Sequence, residues 1–179
     1  MTQTAVNYAD ALYELARDEG LDREILEQLL AVRRLMQENP DYVRLLSAPN
    51  LSKGERLRAL DEAFAGRVHT YLLSFLKLLC ERGHIRTLAD CAERYNARFN
   101  EEHGILMAKV TTAVPLTDGQ TIQIRKRLSE LTGKQVNVMH QVDPSVLGGI
   151  RLEYEGRELD GTLRQRLDGI QKTLSDTVL

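Results

Sequence analysis

The chain has 179 residues, 42% of them hydrophobic and 28% charged, with a formal net charge of −2. That balance suits a globular protein rather than a disordered one, and it lacks the basic excess that nucleic-acid binding requires. No apolar run reaches the roughly 18 residues that cross a bilayer, and the opening Met1-Thr-Gln-Thr-Ala-Val-Asn-Tyr8 is no secretory leader, so direct membrane insertion is not expected.

From Thr4 to about His103 apolar residues recur at spacings of three and four, with Gly or Pro at the breaks. A first helix runs from Thr4 or Ala5 to Glu19 and stops at Gly20. A second begins near Asp22 and carries Ile25, Leu26, Leu29, Val32 and Met36. Asn39-Pro40 opens a short third helix, Pro40–Leu46, with Pro at the first helical position. Ser52-Lys-Gly-Glu55 is a capping box that starts a fourth, ending near Ala65. A fifth spans Val68–Arg82 and a sixth Ile85–Glu102, the two separated by Gly83. Short connections between six helices predict an antiparallel bundle.

Beyond Gly104 the period changes. Ile105–Val114 is β-branched and ends at Pro115, which predicts a strand. Thr117-Asp-Gly-Gln120 is a second capping box, opening a helix that stops at Gly133. Gln135–Val142 and Gly149–Tyr154 alternate as strands, the latter with Ile150, Leu152 and Tyr154 inward and Arg151, Glu153 and Glu155 outward. Arg157–Leu159 predicts a short fourth strand, and Thr162 caps a final helix whose apolar residues Leu163, Leu167, Ile170, Leu174 and Val178 share one face and should cover the sheet. The expected fold is α+β and mostly α. A six-helix bundle occupies residues 1–104, and a small α/β C-terminal module with a short mixed sheet occupies 105–179.

Local chemistry is sparse. The four histidines (His69, His84, His103, His140) have no second ligand at metal spacing, so no metal site is expected. Cys80 and Cys91 lack any paired-cysteine motif and are too few for a disulfide framework; they are expected as buried, reduced thiols. Gly148-Gly149 precedes a strand rather than a helix, which favours a turn or bulge over a phosphate loop. Glu153 and Glu155 fall on a solvated strand face rather than forming a catalytic pair. No catalytic residue and no cofactor is expected.

Two helices carry more apolar surface than a bundle position needs. The first has Ala5, Val6, Tyr8, Ala9, Ala11, Leu12, Tyr13, Leu15 and Ala16, leaving a narrow polar stripe. The fifth has Val68, Tyr71, Leu72, Leu73, Phe75, Leu76, Leu78, Leu79 and Cys80, broken by Thr70, Ser74, Lys77 and Glu81. Both arcs far exceed the roughly 100° of an ordinary surface helix. Either both helices are enclosed, or their outer faces form one groove for an amphipathic helix from another protein. A bundle of this size has little room for two enclosed helices. The small Ala5, Ala9 and Ala11 would then admit a partner backbone. An unrelated helical adaptor would share this feature, and an enzyme with a dispersed site is the remaining alternative.

Four segments carry a family resemblance. Tyr8-Ala-Asp-Ala-Leu-Tyr-Glu-Leu-Ala16 resembles the start of the ATP synthase delta subunit, the homologue of the mitochondrial oligomycin-sensitivity-conferring protein. Glu81-Arg-Gly-His-Ile-Arg-Thr-Leu88 is similar to the family's segment between its fifth and sixth helices. The most specific match is Val136-Asn-Val-Met-His-Gln-Val-Asp-Pro-Ser-Val-Leu-Gly-Gly-Ile-Arg-Leu-Glu153, followed by Leu159-Asp-Gly-Thr-Leu-Arg-Gln-Arg-Leu167. The resemblance implies a non-catalytic stator subunit of the F1Fo ATP synthase, one copy per complex. It would sit peripherally on the cytoplasmic side of a bacterial membrane. It further implies that the helical domain binds the N-terminal helix of an alpha subunit at the catalytic head. The C-terminal domain would meet the C-terminal ends of the stalk b subunits. The matching groove positions would be Tyr8, Ala11 and Leu12 on the first helix, with Lys77, Leu78 and Arg82 from the fifth.

Overall fold

The computed structural model describes residues 2–146 and 149–160. Each helix begins where its backbone amides find a cap. Helix α1 (Gln3–Asp18) opens on Thr2, whose hydroxyl accepts from the Ala5 amide at 3.3 Å. Helices α2 (Asp22–Glu38) and α3 (Pro40–Leu46) follow, the second starting on its proline. The capping box of α4 (Lys53–Phe64) is formed on both sides: Glu55 N donates to Ser52 Oγ at 3.2 Å and Ser52 N donates to Glu55 Oε2 at 2.8 Å. Hydrogen bonding to the Ser52 side chain, and then to its amide, holds the Glu55 carboxyl below the usual carboxylate range.

Helix α5 (Thr70–Glu81) is shorter at both ends than the expected Val68–Arg82. His69 is extended and caps the helix, its Nδ1 accepting from Tyr71 N at 3.2 Å, and its own amide donates to Gln28 Oε1 at 2.6 Å. The expected sixth helix opens with a tighter 3-10 turn at Ile85–Thr87 before α6 (Leu88–Glu102). Strand β1 (Ile105–Thr112) ends two residues early, because Thr112 Oγ1 donates to the Val114 carbonyl and turns the chain there. Helix α7 (Asp118–Thr132) starts on the Thr117–Gln120 capping box and stops at Gly133, whose φ of 68° is the left-handed conformation glycine adopts without strain. Strands β2 (Gln135–Val142), β3 (Ile150–Tyr154) and β4 (Arg157–Asp160) complete the described fold. The helix expected from Thr162 lies outside the described residues.

The protein is mostly helical, with seven α-helices and one mixed four-stranded sheet among the described residues. It divides into two compact units, residues up to 99 and residues from 100 on.

In the first unit the core is built from the inner faces of the helices. Ala5, Ala9 and Ala16 of α1, Ile25 and Leu29 of α2, Leu46 of α3 and Leu60 of α4 are fully buried. Leu72, Leu76 and Leu79 of α5 and Cys91, Ala92 and Tyr95 of α6 join them. Tyr13 and Tyr95 meet edge to face with ring centres 5.1 Å apart, and the Tyr95 hydroxyl donates to the Asp22 carbonyl at 3.0 Å. Arg94 grips Asp10 through two hydrogen bonds of 2.7 and 3.0 Å, pinning α6 to α1.

In the second unit the strand order is β2-β1-β3-β4. β1 and β2 are parallel, as the α7 crossover requires, and the remaining pairs are antiparallel. Leu106, Ala108, Val136 and Leu128 of α7 form a small core, flanked by Ile124, Val138, Leu152 and Tyr154. Ile150 departs from the inward pattern expected of β3 and is exposed at its end. Glu155 is not a strand residue: Glu155-Gly156 is the two-residue turn between β3 and β4, with both φ values positive. Its carboxylate pairs with Lys134.

Candidate functional site

Helices α1 and α5 leave a cavity of about 240 Å3 between their outer faces. Its walls are Tyr8, Ala11, Leu12 and Leu15 from α1, with Tyr71, Ser74, Phe75 and Leu78 from α5. Each wall is an i, i+3, i+4, i+7 set, the spacing that keeps residues on one helical face. The Tyr8 and His84 rings lie 6.0 Å apart, and His84 follows α5, so the start of α1 lies against the end of α5. The two walls therefore run antiparallel. Tyr8 and Leu78 stand at one end, Leu15 and Tyr71 at the other, and the His69 ring stacks edge-on to Tyr71 at 4.8 Å.

Both helices are thus two-sided, which accounts for their excess apolar surface. Leu12 and Phe75 are buried and form the floor, whereas Leu15 and Leu78 keep 44% and 38% of their surface exposed. Tyr8, Ala11, Leu12 and Leu78 meet in the groove as the sequence placed them. Lys77 does not line it. Its ammonium sits 2.6 Å from Asp61 of α4, and its side chain is committed to that flank. Arg82 is the exposed C-cap residue of α5, one turn beyond Leu78, at the mouth of the groove rather than in its wall.

Ala5 and Ala9, expected to admit a partner backbone, face the core and are fully buried; of the three alanines only Ala11 lies in the groove. Sequence reading missed Ser74, taken as a polar interruption, though it follows Tyr71 by three. Leu15, Tyr71 and Phe75 were legible as apolar residues, but their common wall was not assigned.

The second unit has an apolar cleft of its own. Ile124, Leu128 and Leu131 of α7, with Ile150, Leu152 and Leu159 of the sheet, line a space of about 770 Å3. Leu131 and Leu159 are 79% and 55% exposed.

Chemistry is absent from these surfaces. Among the described residues no three His, Cys, Asp or Glu side chains cluster to hold a metal. Burial pushes the Cys80 and Cys91 thiols above their usual range, which leaves them protonated and poorly nucleophilic. Among the described residues no helix is long and apolar enough to cross a membrane.

Two units, each with an apolar recess and with no reactive constellation among the described residues, define a docking subunit. A family model for the ATP synthase delta (OSCP) subunit matches residues 4–174, and the chain belongs to that family. The ATP synthase subunit delta of Synechococcus elongatus is 34% identical over 169 residues, covering 94% of each chain. That of Gloeobacter violaceus is 34% identical over 177 residues, covering 97% of this chain and 96% of its own. A chain of the Toxoplasma gondii mitochondrial ATP synthase hexamer shares the fold, with a TM-score of 0.73 at 21% identity over 97% of this chain and 98% of that one. The protein is a non-catalytic component of the peripheral stalk, or stator, of an F-type ATP synthase.

Proposed function

We propose that the α1–α5 groove binds the N-terminal helix of the alpha subunit at the top of the catalytic head. In this reading the first unit acts as a six-helix bundle holding the head. The second unit binds the C-terminal ends of the b subunits of the peripheral stalk. One copy per complex then resists the torque of the rotor, on the cytoplasmic side of a bacterial membrane. The observation that carries the head contact is the pair of antiparallel i, i+3, i+4, i+7 walls, which leave a helix-wide apolar strip uncovered. Closing that strip with a third helix removes apolar area from water at about 25 cal/mol per Å2, before the cost of association. Arg82 at the mouth contributes orientation more than affinity. Resisting torque calls for slow dissociation, which buried apolar contacts supply.

Calorimetric titration with a peptide of the cognate alpha-subunit N-terminus tests this reading. One-to-one binding is expected, weakened about tenfold or more by Leu78→Asp, since an exposed groove residue becomes a desolvated charge. The thermal midpoint of the variant should stay near that of the parent chain, because Leu78 is not a core residue. No binding by the folded parent chain would move the head contact elsewhere.

A further inference from the structure

The groove has a shape that selects among helices, and this inference rests on the head-binding reading above. Its ends are closed by large side chains, Tyr8 with Leu78 and Leu15 with Tyr71, and its floor by Leu12 and Phe75. The two middle rim positions are small, Ala11 on one wall and Ser74 on the other, and both are exposed. A short, deep hole therefore sits between bulky end posts. The walls span seven residues, about 10 Å at 1.5 Å per residue, which is two turns of a helix. The cavity of about 240 Å3 is below the roughly 300–1,000 Å3 of small-molecule sites. It suits a side chain projecting from a helix, in the manner of a knob entering a hole.

We infer that the occupant is an amphipathic helix that seats one large apolar side chain, Leu or Phe, between Ala11 and Ser74. Smaller apolar residues one turn to either side rest on the end posts. The mouth fixes its charge. Arg82 follows Leu78 by one turn, and at the opposite end α1 finishes on Asp18 and Glu19. The occupant accordingly carries an acidic residue toward Arg82 and a basic one toward Glu19, and its axis is set by that pairing. Ala11 and Ser74 are thus specificity-determining positions for the head contact.

The experiment is a bump-and-hole titration of the full chain with the same alpha-subunit peptide. Ser74→Leu, which fills the hole with a residue that favours helix, should weaken binding about tenfold or more. A peptide with alanine at its central apolar position should bind the parent chain weakly and recover most of the affinity on Ser74→Leu. Ala11→Leu is the independent filling variant and should behave alike; thermal unfolding of both confirms the fold. Failure of the parent chain to bind the peptide removes the head-binding reading and this inference with it. Tight binding by the parent chain and equally tight binding by both filled variants leaves that reading intact and overturns the hole. Loss of binding without recovery by the alanine peptide also overturns it. Concentration-dependent dimerisation of the parent chain, abolished by Ser74→Leu, would make a second copy the occupant and overturn the assignment.

Discussion

The two units expose apolar surface for different reasons. In the first, most large side chains are enclosed, and the groove residues stand on helices whose opposite faces are anchored in the core. In the second, four residues form the core, and Ile122, Leu131 and Leu159 each keep more than half their surface exposed. A recess on a rigid wall presents a fixed shape, which suits selective recognition at low ordering cost. A broad exposed apolar cleft on a thin core offers area rather than shape. The contrast locates geometric selectivity in the first unit.

Core truncation breaks the comparison most directly. Leu76→Ala, at a fully buried position of α5, should cost about 2–5 kcal/mol. Leu131→Ala, on the exposed flank of α7, should cost less than about 0.5 kcal/mol. Denaturant unfolding measures both; similar costs would mean that Leu131 is as enclosed as Leu76. A smaller effect sharpens the claim that α1 is a fixed wall. Asp10→Ala removes the acceptor of both Arg94 bonds, whose side chains are each under a third exposed, and should cost about 1–2 kcal/mol. Hydrogen exchange should then quicken in α1 ahead of α5. Uniform exchange in both would deny that Asp10 clamps the wall.

The smallest expected effect is at α4. Ser52→Ala deletes the capping hydroxyl and should cost about 1 kcal/mol in unfolding experiments. The Glu55 carboxyl is held below its ordinary range when folded, so its contribution is present above the unfolded-state pKa and fades as pH falls through the folded one. In Ser52→Ala the Glu55 titration, followed by NMR, should move up toward the ordinary value. An unchanged titration would assign the shift to another neighbour.

Much of the fold was legible because its signals are local. The Ser52–Glu55 and Thr117–Gln120 boxes, Pro40 and Gly133 act within one turn, and each marks an observed boundary. The errors fall where a distant or neighbouring group intervened. α5 starts late because His69 caps it and Gln28 of α2 accepts the His69 amide. β1 stops early because the Thr112 hydroxyl takes the Val114 carbonyl.

The groove divides in the same way. Periodicity alone determined that α1 and α5 carry two apolar faces, since residues three and four apart share a side whatever surrounds them. It could not say which face turns inward, because alanine suits either. Ala5 and Ala9 went to the core and Ala11 to the groove only through the rotation of α1, set by packing and by the Arg94 grip on Asp10. Lys77 was drawn from the groove by Asp61, sixteen residues earlier in the chain. Ser74 became part of a hole only when Leu12 and Leu15, far away in sequence, were brought against its helix. Sequence determined the faces of each helix; the tertiary structure decided what each face meets, because helix rotation and ion pairing depend on neighbours that local spacing does not contain.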